Sequence, residues 1–444
     1  MILNQEEAKK ILSKVISYSK ADSISTSISG SNTYNLRYAL NSLSTNGFAD
    51  GLSLNIVSNV GRKSGSVRIN IITDESIKAA VEKSENIAKI SPENKEFMPP
   101  LEPQTYSEGV NYSLNTENIT SAQRAEKLEY ILDESIKRDL QSAGYLEDEV
   151  SFYAIMNSKG LFAYNKGTMS SYSSTVRTKS GTGSSRVQNQ YVDISNLDTV
   201  KLSDKVLNRS VLSENPAELP PGKYTVILEP AAAADLVTYG SFFMDARSAD
   251  EGRSFFSKKE GGNKIGEQVA DSKVTIYSNP IDPVIPVTPF TGEGYPLSKT
   301  MWIENGILKN LSRGRFWAEK TGQPIMPGPA NIIMEGTDKS VDDLIAGTDR
   351  GILVTRFWYI RTVDPQTMLL TGLTRDGLFE IVDGKITRSI KNFRFNESPM
   401  NMLSNVIEIG KSENAVGAET DNTQIFVPAL KVRDFYFSSL SDAI

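Results

Sequence analysis

Histidine and cysteine are both absent from the 444 residues. That excludes imidazole acid–base chemistry, Ser-His and Cys-His nucleophile pairs, thiolate chemistry, disulfides, haem and iron–sulfur ligation, and zinc sites built from imidazole or thiolate. Catalysis by this chain is left to carboxylates, Lys, Tyr, Ser/Thr or a hard cation held by oxygen. Long apolar runs are missing too. The first twenty residues, MILNQEEAKKILSKVISYSK, carry acids and lysines where a secretory leader needs an apolar run, and no later stretch approaches about 18 apolar residues. A cytoplasmic protein without membrane association is the expectation. A basic excess is also lacking: 48 Lys+Arg face 54 Asp+Glu, a net charge of −6, which disfavours a protein that works by neutralising nucleic-acid phosphates.

What is present is ordinary globular composition, 39% apolar and 23% charged, and a length that suggests roughly two to four domains. Asn4, followed by Glu6 and Glu7 and by Ile11, Leu12, Val15 and Ile16 at helical spacing, predicts an opening helix. Period-2 stretches follow (Ile24, Thr26, Ile28; Leu36, Tyr38, Leu40; Leu52, Leu54, Ile56; Val67, Ile69, Ile71), with Asn46-Gly47 and residues 59–65 as the expected hairpin turns. A second helix is expected to be capped by Asp74. Prolines 92, 99, 100 and 103 mark an extended connector, about 91–120 overall. The order then returns: a helix from about Ser121 to Ala143, then strands near 150–157, 160–166, 169–179 and 185–193. The repetition reads as an internal duplication of topology, although unrelated α+β segments can show the same order.

Asn215 to Gly222 concentrates turn formers and divides an N-terminal α+β domain, 1–215, from a β-rich C-terminal domain, 216–444. In the second half Asn305-Gly306 and Asp383-Gly384 sit between strand formers as two-residue hairpin signals. Helices are expected over Pro230 to Phe243, after Arg315, and from Ser340 with Asp343 completing a capping box. The fold class is therefore α+β, with antiparallel sheets.

Local catalytic motifs fail one by one. Gly410-Lys411-Ser412 imitates the end of a phosphate loop but has Asn405 where that motif needs glycine. Ser17 and Lys20 have an acyl-enzyme spacing that arises freely in a chain rich in both residues. Asp342 with Asp343, and Asp245 with Asp250 and Glu251, read as solvated faces rather than cation or acid–base pairs. Pro286 to Pro296 is more distinctive. In this Pro/Gly-rich loop Phe290, Thr291, Gly292, Gly294 and Tyr295 either line a peptide cleft or form an ordered structural loop, and both readings stand.

Several segments together resemble the TldD/PmbA family, formerly described as modulators of DNA gyrase and understood as subunits of an intracellular metalloprotease. They are Gly51 to Gly65, Asn157 to Leu161, Val226-Ile-Leu-Glu-Pro230, Thr291-Gly-Glu-Gly294, Trp302 to Leu308, Leu378 to Ile386 and Pro428 to Val432, all in the family's order. The zinc-binding TldD-type subunit carries His-Glu-x-x-x-His shortly after the Val-Ile-Leu-x-Pro strand, and a late cysteine. Here the matching stretch places Thr238, Tyr239 and Phe243 at the His, Glu and His positions, and no cysteine exists. The resemblance thus implies a PmbA/TldE-type subunit with the family fold, no catalytic, metal or cofactor residues of its own, and zinc only in a TldD-type partner. It implies pairing with that partner or with itself, and binding of extended or unfolded peptides. A homodimeric peptide-binding scaffold and a hydrolase using carboxylate or Ser/Lys chemistry are the alternatives.

Overall fold

Asn4 accepts a hydrogen bond from the Glu7 amide while Glu7 accepts one from the Asn4 amide, so helix α1 (Gln5–Tyr18) begins on a reciprocal cap. Three strands follow, β1 (Ser23–Ala39), β2 (Ser42–Val60) and β3 (Lys63–Ile69), then α2 (Asp74–Ile90). After the connector come α3 (Leu114–Glu117), α4 (Ser121–Lys137), β4 (Leu140–Asn157), β5 (Phe162–Thr178), β6 (Ser184–Tyr191) and α5 (Thr199–Leu212). In this computed structural model, which describes residues 1–420 and 423–441, the strands form one antiparallel sheet in the order β3-β2-β1-β4-β5-β6. The sequence α-β-β-β-α occurs twice, and the two copies meet where β1 pairs with β4. Each half has its own apolar cluster, one around Leu12, Ile28, Ile56 and Val81, the other around Leu128, Ile131, Tyr172 and Leu207. Gly65 lets α2 lie directly on β3, since a Cβ there would sit 2.1 Å from the Ser84 carbonyl oxygen.

Period-2 alternation decides what each face of β1 meets. Ile24, Thr26 and Ile28 turn into the helices, and Ser25 and Ser27 turn toward the other half of the molecule.

Four boundaries differ from the sequence reading. Asn46 and Gly47 lie inside β2, opposite Leu36 and Asn35; the turn is at Leu40 and Asn41, at φ 50° and 62°. It forms there because Asn41 also bridges to the next strand, donating to the Leu140 carbonyl (2.7 Å) and accepting from the Ser142 amide (2.7 Å). Thr73, not Asp74, caps α2, because the Thr73 hydroxyl and Ser76 close the reciprocal box. Helix α4 stops at Lys137, six residues before Ala143, and Asp139 at φ 59° reverses the chain into β4. The strands expected at 160–166 and 169–179 are one, β5, held in register by β4 along its whole length.

The second half is built around one long strand. Its elements are β7 (Gly222–Leu228), α6 (Pro230–Phe242), α7 (Ala246–Asp250), β8 (Ile276–Ser278), β9 (Thr300–Glu304), β10 (Ile307–Leu308) and α8 (Arg315–Thr321). Then come β11 (Asn331–Met334), α9 (Val341–Ala346), β12 (Arg350–Val354), β13 (Phe357–Asp364), β14 (Leu369–Thr374), β15 (Leu378–Val382) and β16 (Lys385–Ser389). The series ends with β17 (Phe393–Glu397), α10 (Pro399–Ser404), β18 (Val406–Asn414) and β19 (Gln424–Leu440). Strand β19 pairs antiparallel with β7, β17 and β18 and parallel with β11, tying the sheet together. Phe357, Phe393, Phe395, Phe435 and Phe437 stack in its core with ring centroids 4.6–5.8 Å apart. Each such fully buried ring stabilises the fold by about 1.5–3 kcal/mol. Both expected hairpins form, with Asn305-Gly306 and Asp383-Gly384 all at positive φ, and the Ser340/Asp343 box caps α9. Among the described residues no helix is long and apolar enough to cross a membrane.

Candidate functional site

Helix α6 lies at the centre of the second half. Glu229 and Pro230 deliver the chain from β7 into it; proline at the first helical position loses no helix hydrogen bond. Four consecutive alanines, 231–234, give the helix little side-chain bulk, so it packs deep against β19, α10, β13, β18 and β7. Glu229 is itself buried and accepts from Arg209 through both oxygens and from Lys205 at 3.2 Å. Burial works against its ionisation, yet the two cations on α5 hold it down to about 2. This triad joins the first half of the chain to the start of α6.

One acid interrupts the apolar run of α6. Asp235 is 0% exposed; its Oδ1 accepts from the Glu419 amide (2.9 Å), the Ala418 amide also favours its charged form, and among the described residues Oδ2 has no partner. Burial pushes its carboxyl up to about 7 against the opposing pull of those two amides. The loop that supplies them can approach only because residue 417 is glycine, as a Cβ there would lie 2.2 Å from Asp235 Oδ1.

One turn further on are the positions that the resemblance assigns to the zinc motif. Thr238 is fully buried and, among the described residues, its hydroxyl has no partner. Tyr239 is half-buried and donates its phenol O–H to the Ile360 carbonyl (2.9 Å). The Ile360 amide donates to Glu419 (3.2 Å), and Arg361 closes the group by donating to the Ile360 carbonyl (2.6 Å) and to Glu419 (3.3 Å). Phe243, just past the helix end, packs half-buried against the core. These residues do not fit a zinc ion: one offers an enclosed hydroxyl, one a phenol already committed to a backbone carbonyl, and one no donor atom at all. Among the described residues no group of three or more acids stands where it could hold a metal.

The 286–296 loop divides between two roles. Phe290 is buried against Tyr106 (5.1 Å between centroids) and Tyr153 (6.2 Å), wedged among Ile155, Leu161 and Ala163 of the first sheet. Tyr153 donates to the Gly292 carbonyl (2.9 Å) and Tyr106 to that of Gly294 (2.8 Å). Thr291 and Tyr295 close the loop through Thr291 N–H to the Tyr295 carbonyl, 2.9 Å. Gly292 lines a cleft of about 600 Å³ between the serine face of β1 and the second half, and Tyr295 lines a separate pocket of about 350 Å³. The connector crosses that cleft, fastened by Glu96 to Arg247 (2.8 and 2.9 Å) and by Arg315 to the Pro99 carbonyl (2.5 Å).

The remaining sequence candidates are structural. Gly410-Lys411-Ser412 runs through β18, extended and unable to wrap a phosphate. Ser17, on the exposed face of α1, donates to the Lys14 carbonyl, with Lys20 beyond the helix end. Asp343 and Asp245 cap helices, Asp250 accepts from Trp317 (2.8 Å), and Glu251 pairs with Arg247 and Arg253. Asp235, Glu419 and the Glu229 triad were not singled out from sequence. A lone acid in the run Ala-Ala-Ala-Ala-Asp-Leu-Val was the available signal for Asp235.

A two-sheet α+β protein with a buried helix, α6, at the centre of its second half is the class these features define. Residues 99–213 match the PmbA/TldA metallopeptidase central domain and residues 221–439 the PmbA/TldA metallopeptidase C-terminal domain. The chain belongs to the PmbA/TldD family. Metalloprotease MJ0996 of Methanocaldococcus jannaschii is 26% identical over 385 residues, spanning 80% of this chain and 81% of that protein. A metalloprotease of Methanothermobacter thermautotrophicus is 24% identical over 222 residues, 43% of each chain. The fold is that of TldE from Thermococcus kodakarensis, with a TM-score of 0.84 at 19% identity, covering 97% of this chain and 99% of that one.

Proposed function

We propose that this chain is the non-metal subunit of a two-component peptidase, pairing with a TldD-type zinc subunit and helping to enclose and present extended peptides. The observation that carries the reading is the state of α6. Helix α6 and the strand before it pack fully into the fold, while Thr238, Tyr239 and Phe243 stand at the positions where the resemblance expects ligands and a general base in a catalytic member. The cleft of about 600 Å³ between the two halves, lined by both polar and apolar groups, supports contact with an extended peptide, and Gly292 and the serine face of β1 line it. The zinc and the hydrolytic step belong to the partner in this reading.

The test is to mix the purified chain with a TldD-type homologue that retains His-Glu-x-x-x-His, and to follow both co-elution and cleavage of an unfolded peptide. Co-elution with a changed cleavage rate is the expected result; neither one sinks the proposal. A stable self-dimer that ignores the homologue would transfer support to the scaffold reading.

A further inference from the structure

Four guanidinium groups converge beside the loop that packs on α6. Arg177 and Arg186 come from the last hairpin of the first sheet, Arg356 from the turn between β12 and β13, and Arg375 from the end of β14. With the backbone of residues 416–418 they line a pocket of about 380 Å³. Among the described residues the one carboxylate lining it is Asp376, 4% exposed and already committed: it accepts from Arg356 (2.7 Å) and from the Ser184 hydroxyl (2.7 Å), and lies 3.9 Å from Arg375. Among the described residues Arg186 bonds only neutral oxygens, Thr175 (3.2 Å) and Gln188 (2.9 Å), and the Arg177 side chain makes no hydrogen bond or ion pair. The guanidinium carbons of Arg356 and Arg375 lie 5.4 and 5.0 Å from the Trp358 ring centroid, a cation–π contact for each.

Like charges gathered in a half-buried pocket repel one another and are costly to desolvate unless a counter-charge enters. Burial and the neighbouring Arg356 both weaken the hold of Arg186 on its proton, and the same desolvation acts on Arg356. Guanidinium forks match the two oxygens of a carboxylate or phosphate.

We infer that this pocket is an oxyanion-binding subsite, taking a carboxylate or phosphate group of a ligand between Arg186, Arg375 and Arg177, with Trp358 as its rim. The site belongs to this chain alone and does not depend on the partner-subunit reading. Binding to the isolated full-length protein is measured by titration calorimetry with three probes: a blocked tripeptide with a free C-terminal carboxylate, the same tripeptide amidated, and inorganic phosphate. Binding of the free acid but not the amide identifies a peptide carboxylate as the source; binding of phosphate alone identifies a phosphate. Either should weaken with added salt and fall about tenfold or more in Arg186→Gln and in Arg177→Gln. Arg186→Gln removes one of several like charges and breaks no ion pair, so its thermal transition without ligand should be unchanged or raised. Failure of both the free acid and phosphate to bind, or equal binding to wild type and Arg186→Gln, overturns the inference.

Discussion

Asp235 makes a sharp test of the reasoning about α6, because its environment fixes both the sign and the size of a pH effect. Its carboxyl is enclosed and, among the described residues, one oxygen lacks a partner, so the neutral form is favoured and the group titrates near 7 rather than in the usual aspartate range. A carboxyl whose pKa is raised by folding contributes full stability below the unfolded value, and that contribution drains away as pH rises toward the folded one. The whole displacement, at about 1.4 kcal/mol per pKa unit, is worth up to about 4 kcal/mol, of which about 3 kcal/mol falls between about pH 5 and about pH 8. Asp235→Asn keeps the shape and an acceptor for the Ala418 and Glu419 amides but cannot ionise. Wild type and variant should therefore diverge with pH, the variant gaining about 3 kcal/mol on wild type across that window, whatever the offset between them in acid. Equilibrium denaturation followed by circular dichroism at a series of pH values measures this. A difference that stays constant within about 0.5 kcal/mol would refute the burial argument, since no other mechanism here makes the Asp-to-Asn difference titrate in that range.

Two other perturbations probe how the halves are joined. Glu229→Gln leaves Arg209 and Lys205 facing a neutral partner in a buried place and should destabilise by about 3–5 kcal/mol in denaturant unfolding at neutral pH. Because folding depresses the Glu229 pKa, the wild-type advantage is present above the usual glutamate range and should shrink as pH falls toward about 2. Phe290→Ala empties the aromatic wedge under Tyr106 and Tyr153 and should cost about 3–5 kcal/mol. Limited proteolysis should then cut faster in the connector, which the same tyrosines help to hold; an unchanged cleavage rate would mean that Phe290 does not hold the halves together.

Short-range chemistry was legible before any coordinates. Asn305-Gly306 and Asp383-Gly384 turn where their backbone freedom says they should, Asn4 and Ser340 cap the helices their third neighbours mark, and Ile24, Thr26 and Ile28 alternate inward. Where a local signal was overruled, a distant strand did it. Asn46-Gly47 is as good a turn as the other two, yet β1 pairs through it and Asn41 anchors the reversal to β4, more than a hundred residues from Ser142's side of the bond. Thr73 displaced Asp74 for a smaller reason, a competing cap one residue away.

The amino-acid sequence by itself determined which chemistry this protein cannot perform, since a chain without imidazole or thiolate has neither in any conformation. It also determined the caps at Asn4 and Ser340 and the turns at Asn305-Gly306 and Asp383-Gly384, which depend on neighbours within a few bonds. Tertiary structure alone decided that Asp235 is entombed, that Phe290 is a wedge while Gly292 faces a cleft, and that Arg177, Arg186, Arg356 and Arg375 share one pocket. Those facts depend on residues up to about two hundred positions apart being brought within a few ångströms, and burial, repulsion and desolvation exist only once that distance has closed.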